Sequence, residues 1–232
     1  MNKINAVIPV VALVALIILA TVFIVFALRT YLNSENERFS FFNRFPHELY
    51  YQKNHNQAVF FRIFLFTLFA FLMFVAILFA TTFNMDNNVF GYTLTLSLFI
   101  CFSIICMLVL FIIKPNLLTQ FKLYSTLMFV FNMMSSVMFG IISINNNVYE
   151  GPAHKVLGAF AFLLTLANFV LALNPKLKNW SKLDEINQSN GTIVYKRPKL
   201  FWLALSQWLT FASVLLLEVL VLISILLSSL GI

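Results

Sequence analysis

The chain has 232 residues, of which 61% are hydrophobic and only 10% charged, with a mean hydropathy of +0.92. A water-soluble domain carries about 25% charged residues, so this composition cannot clothe a water-facing surface, and lipid must solvate most of the chain. The formal net charge of +7 does not signal nucleic acid, because the cations lie in short gaps beside apolar runs, where they read as topology signals and contacts to anionic lipid.

Six apolar runs cover residues 5–28, 59–83, 89–113, 123–144, 156–174 and 201–230. Each is long enough for a hydrocarbon layer of about 30 Å, which takes about 20 helical residues. The gaps are too short for a soluble domain of ordinary size. The expected fold class is all-α, a polytopic integral membrane protein built as a six-helix transmembrane bundle. Residues 1–232 are expected to form a single transmembrane domain.

The first run begins after Lys3 and stays apolar from Ala6 to Leu28. That exceeds the roughly 7–15 residues of a signal-peptide core, so the run reads as a retained helix. The loop after it (29–58) mixes rings and cations in Phe39-Ser40-Phe41-Phe42-Asn43-Arg44-Phe45-Pro46, followed by Tyr50-Tyr51. Such a mixture suits the headgroup layer, where rings bury and charges stay wet. A short interfacial helix or turn is expected. A docking surface for a protein partner would use the same residues, so both readings stand.

The second and third runs are joined by Asn84-Met85-Asp86-Asn87-Asn88. Cys101 and Cys106 lie in the third run, five residues and hence about 140° apart on a helix. They read as small packing residues and not as a ligand pair or a bridge. Loop three (114–122) holds Lys114-Pro115-Asn116 and Lys122.

Apolar side chains gain little from helix contact in lipid, so small and polar residues mark packing faces. The fourth run carries Asn132, Ser136, Gly140 and Ser143, and the fifth carries Gly158, Ala161, Thr165, Asn168 and Ala172. Steps of three and four put each set on one side of its helix. The opposite side of the fifth run shows Phe162, Leu166, Phe169 and Leu173. Only Asn145 to Lys155 separates the two runs, which makes them antiparallel neighbours. Asn132 and Asn168 fall at matching depths, about 10–12 Å from one interface. An interhelical Asn–Asn hydrogen bond is expected, either as packing glue or as part of a polar lining.

Loop five (175–200) carries Lys176, Lys178, Lys182, Lys196, Arg197 and Lys199. Asn190-Gly191 is a strong turn signal. With Thr192-Ile193-Val194-Tyr195 after it, a small hairpin is expected. Three sequons begin at Asn179, Asn187 and Asn190. In so cationic a loop they read as chance triplets. Trp202 and Trp208 then sit at the interface that opens the sixth run.

Glu218 is the one ionisable residue deep within a run. A charge at mid-membrane costs about 2.5–3.5 kcal/mol on insertion scales. The carboxyl must therefore be protonated, paired or facing a wet cavity, with His154 or Lys155 at the start of the fifth run as candidate partners. A structural acid, a coupling group and an acid at an outer mouth are the three readings.

Thirteen of the fifteen cations fall in loops one, three and five. The positive-inside rule places these loops in the cytoplasm and both termini outside it. The abundance of Phe, with 28 residues, and of Asn hints at an AT-rich bacterial genome, and hence a bacterial plasma membrane.

The search for chemistry is negative. His47, His55 and His154 have no metal spacing. Glu150 and His154 are split by Gly151-Pro152, and the six glycines form no phosphate-binding motif. No catalytic residue, metal or cofactor is expected. The favoured function is a small transporter or the membrane subunit of a transport system, with Glu218, Asn132, Asn168, His154 and Lys155 as its intramembrane polar site. The alternatives are a non-transporting scaffold or assembly component of a membrane complex, and a membrane-embedded enzyme. The expected partners are the lipid bilayer and a protein engaging loops one and five.

Overall fold

A computed structural model of the chain describes residues 6–30, 38–51, 55–82, 87–113, 118–145, 151–175, 177, 184–187, 193–196 and 198–231. Six long helices dominate it: α1 (Val7–Thr30), α3 (His55–Thr82), α4 (Asn87–Ile112), α5 (Leu118–Ile144), α6 (Pro152–Ala172) and α7 (Trp202–Leu230). A five-residue helix, α2 (Pro46–Tyr50), lies between α1 and α3. All six long helices are long and apolar enough to cross a membrane. Helix is the form such segments must take, because lipid offers no partner to an open backbone N–H or C=O. The chain is a multi-pass integral membrane protein.

Several of the helices outrun the apolar runs at their starts. α3 begins at His55, α5 at Leu118 and α6 at Pro152, each a turn or so before the run does. Hydropathy records the hydrocarbon slab, whereas a helix continues into the interface with solvated side chains. Gly151 precedes α6 and Pro152 opens it. Proline fits there because the first helical N–H has no partner within the helix.

α7 is the axis of the bundle and packs on α1, α3, α4, α5 and α6. α4 with α5, and α5 with α6, form the closest antiparallel pairs. Toward the start of α7 the core is aromatic. Phe23 of α1, Phe69 of α3, Phe111 of α4 and Phe211 of α7 surround one another, with Trp208 beside them. Phe23 and Phe211 have centroids 5.4 Å apart in an edge-on arrangement, which lets the positive ring edge meet a negative face. This use of Phe explains how a chain so rich in that residue still fills its interior.

The loop before α3 forms the expected short helix, α2, but some of its rings pack into the bundle. Phe39 and Phe45 are buried, as are His47 and Leu49, while Phe42 points outward. Phe39 and Phe41 stand edge-on to Trp208, at 5.7 and 4.8 Å between centroids. Trp208 Nε1 donates to the Arg44 carbonyl at 2.7 Å, and the Phe201 N–H donates to the Phe42 carbonyl at 2.8 Å. Arg44 pairs with Glu48 at 3.1 Å. Composition could not separate these cases, because a ring leaving water gains about the same from lipid as from its own protein's core.

Arg62 is fixed from the same loop. Its guanidinium lies 4.5 Å from the Tyr50 ring centroid and donates to the Tyr50 carbonyl at 3.3 Å. Arg44, Arg62, Lys122 and Lys199 all belong to one end of the bundle, termed the basic end below. The hairpin expected in loop five is present in the backbone. β1 (Asp184–Asn187) pairs antiparallel with β2 (Ile193–Lys196), Asp184 facing Lys196 and Asn187 facing Ile193. The turn at Asn190-Gly191, the sequons beginning at Asn179 and Asn190, and Glu150 lie outside the described residues, whereas Asn187 closes β1.

Candidate functional site

Polar side chains inside a membrane bundle are costly unless they meet one another. Here they gather on α5, α6 and α7. Ser206, Thr210, Ser213 and Ser224 are all buried, and with Ser228 they recur at helical spacing on one face of α7. The stripe of α5 is buried throughout, at Asn132, Ser136, Gly140 and Ser143. On α6, Gly158, Ala161 and Asn168 are buried and Thr165 is half-buried, whereas Ala172 at the helix end is exposed. Phe162, Leu166, Phe169 and Leu173 are exposed toward lipid.

Three clusters follow from the basic end outward. In the first, Gln207 Nε2 donates to Ser125 Oγ at 2.8 Å, and Ser125 Oγ donates to the Phe121 carbonyl at 2.8 Å. In the second, Asn132 Nδ2 donates to Asn168 Oδ1 at 3.0 Å and lies 3.5 Å from the Thr210 carbonyl. Asn168 Nδ2 donates to Ser213 Oγ at 2.8 Å and to the Leu164 carbonyl at 2.9 Å. One amide pair thus ties three helices at one depth. In the third, near the far end of α7, His154 Nε2 lies 3.4 Å from the Ser224 carbonyl and 3.3 Å from Ser228 Oγ. Gln207 and Ser228 are about 30 Å apart along the helix, close to the full hydrocarbon thickness.

The α5–α6 contact that holds this arrangement is a glycine seam. A Cβ on Gly158 would lie 3.1 Å from Ser143 Cβ and Ile144 Cγ1 and 3.2 Å from the Gly140 carbonyl oxygen. A Cβ on Gly140 would meet the Phe162 ring at 2.9 Å. The two backbones approach as closely as small residues permit.

Glu218 sits between the second and third clusters, about 7–8 Å along α7 from Ser213 and about 9 Å from Ser224. It is 0% exposed, and among the described residues neither Oε1 nor Oε2 has a hydrogen-bond partner. Glu218 is turned about 120° around α7 from Ser206 and Ser224, so it does not share their stripe. The partners expected from sequence do not reach it. His154 is buried against Ser224 and Ser228, a turn and a half farther out, and Lys155 is exposed. Ser97, at comparable depth, donates instead to the Ala76 carbonyl at 2.7 Å.

The structure therefore brings Asn132 and Asn168 together, keeps His154 in a separate cluster and leaves Lys155 outside. Sequence reasoning missed Gln207, Thr210, Ser213, Ser224 and Ser228. Their steps of 3, 3, 11 and 4 residues, close to whole helical turns, carried the signal. Among the described residues no three His, Cys, Asp or Glu side chains converge as metal ligands would.

The second cluster gives a quantitative expectation. Asn168→Leu should lower stability by about 0.6–2 kcal/mol, the range for interhelical hydrogen bonds in membranes. It strips Asn132 of its acceptor and Ser213 of its donor. Unfolding by a denaturing detergent measures it, and Asn132→Leu combined with Asn168→Leu should cost less than the two added separately, since each removes the same bond.

Comparison with protein-family models, with curated proteins and with solved structures finds no match to this chain.

Proposed function

We propose that the chain is a small transporter or the membrane subunit of a transport system, that Glu218 is its coupling group, and that residues 1–232 act as one membrane domain. The observation that carries this reading is the state of Glu218: fully buried, with neither carboxyl oxygen bonded among the described residues. As a carboxylate it is a buried charge with no ion pair among the described residues; as an acid it leaves a donor and acceptors unmade there. Either form is unfavourable in this conformation. A group that alternates between buried and wet states of a transporter meets that description.

The same reading places the basic end in the cytoplasm of a bacterial cell and both termini outside, because Arg44, Arg62, Lys122 and Lys199 share that end. A reporter fused after Ile232 should be active only outside the cytoplasm.

A second reading, the non-transporting scaffold, is favoured by a different observation. Glu218 lines neither the groove between α5, the end of α6 and the start of α7 nor the one between α3 and α4. Thiol labelling separates the two. In protein lacking Cys101 and Cys106, Glu218→Cys should react with a membrane-impermeant thiol reagent added from the outside of intact cells. Complete protection from both faces, in protein that is folded and inserted, would sink the transport reading and leave the scaffold.

A further inference from the structure

Residues 39–50 cover the basic end of the bundle as an internally bonded unit. The Arg44 N–H donates to the Ser40 carbonyl at 2.9 Å, and the Phe45 N–H donates to Glu48 Oε1 at 2.9 Å. The Arg44–Glu48 pair at 3.1 Å ties the loop to α2. These bonds lie within the segment and would survive its displacement. Its contacts with α5 and α7 would not. Trp208 Nε1 and the Phe201 N–H donate to its carbonyls at Arg44 and Phe42. Phe45 stands edge-on to Phe201 and Phe121, at 5.2 and 5.4 Å between centroids.

Behind these rings the bundle is polar. The carbonyl of Phe121 accepts from Ser125 Oγ, which accepts in turn from Gln207 Nε2. The direction of this relay is fixed. A hydroxyl has one proton, and that of Ser125 is committed to the carbonyl. Gln207 must therefore present its nitrogen to Ser125, which leaves Oε1 turned away. Gln207 Oε1 and Ser206 Oγ are both buried, and neither has a partner among the described residues. Bare buried polar atoms destabilise the closed arrangement. Water reaching them would satisfy both, so hydration offsets part of what is lost when the rings separate. An apolar interior behind the same rings would offer no such compensation.

We propose that residues 39–50 are the gate of the basic face, swinging away from Trp208 and Phe201 as a unit to admit water to Ser206 and Gln207. Arg62 grips the Tyr50 end through the carbonyl and the ring, which makes that end the pivot. That the gate serves a solute rests on the transport reading; that it opens does not.

Thiol labelling from the basic face tests it, in full-length protein lacking Cys101 and Cys106. The face is identified by the one from which the exposed Lys199→Cys reacts with a membrane-impermeant maleimide, in inverted or right-side-out vesicles. Ser206→Cys should react slowly from that face. Trp208→Phe, which keeps a ring but removes the donor to Arg44, should speed the reaction about fivefold, the equivalent of one hydrogen bond of about 1 kcal/mol. Phe41→Leu serves if that variant does not fold, and Gln207→Cys replaces Ser206→Cys on the same ground. Ser224→Cys, near the far end of α7, should not respond to Trp208→Phe. Protection of both 206 and 207 in folded, inserted protein would overturn the proposal, as would equal rates with and without Trp208. Equal acceleration at 206 and 224 would also overturn it, because the whole bundle would then be loosening. The transport reading fails separately, at residue 218 and from the opposite face.

Discussion

Glu218→Met should make the protein more stable, by about 1–3 kcal/mol. The sign is the informative part. Replacing a buried acid usually breaks the hydrogen bonds or ion pair that justify it, and stability falls. Glu218 has no such bonds among the described residues. Its carboxyl gives up water, or the headgroup region, when the bundle closes, and receives nothing in exchange. The cost of burying an unbonded polar group, about 1–3 kcal/mol from mutational data, is what methionine recovers. Methionine is close in length and flexible enough to fill the same space. Glu218→Gln is the matched control: its amide is as poorly served as the acid, so its stability should stay near that of the parent. Unfolding midpoints in a denaturing detergent give both values. If Glu218→Met instead costs stability, Glu218 is a structural acid, and the transport reading loses its main support. If it gains stability while a Cys at 218 is labelled from outside, the acid lowers the stability of this conformation and reaches water in another. That combination fits a coupling group and not a packing residue.

The contrast between Glu218 and Asn168 also shows what the sequence made legible. Asn132 and Asn168 were expected to meet because both helices run straight from a common short turn, and depth on a straight helix follows from counting residues at about 1.5 Å each. The stripes of α5 and α6 were legible for the same reason. Local periodicity determines which residues share a face, and a short loop determines which faces can meet. The surroundings of Glu218 were not legible in this way. They depend on how α7 is rotated against α3 and α4, helices it does not follow directly in the chain. His154 is the clearest case. Its place near the start of α6 suggested a partner for the acid, but the register of α6 on α7 delivers it to Ser224 and Ser228. The packing of Phe39 and Phe41 from the loop before α3 was not legible for an energetic reason. Trp208 and the rings of Phe39 and Phe41 make one cluster only because residues far apart in sequence converge, and no local pattern distinguishes that cluster from a headgroup anchor.

The glycine seam offers the other large effect, and it discriminates between two residues that look equivalent in sequence. Gly158→Ala should cost about 1–3 kcal/mol, the usual range for overpacking, whereas Gly140→Ala should cost much less. The difference lies in what each new methyl meets. At Gly140 the obstacle is the distal edge of the Phe162 ring, an exposed side chain that can swing into lipid. At Gly158 the obstacles are the Gly140 carbonyl oxygen and the Ser143 Cβ, at 3.2 and 3.1 Å. Neither can move without moving α5 itself. The α5–α6 pair must then separate, and the Asn132–Asn168 bond stretches with it. Because a membrane bundle draws its helix association from close packing and interhelical bonds and not from expulsion of water, such a separation has little to offset it. Helix propensity runs the other way, since Ala is the better helix former by about 1 kcal/mol, so a net loss at Gly158 would be a lower bound on the steric cost. The double variant Gly158→Ala with Asn168→Leu should fall short of additivity, because the methyl has already weakened the bond that the leucine removes. Equal and small losses at Gly140 and Gly158 would mean that the two helices are free to slide past each other, and that the amide pair alone holds α6 on the bundle.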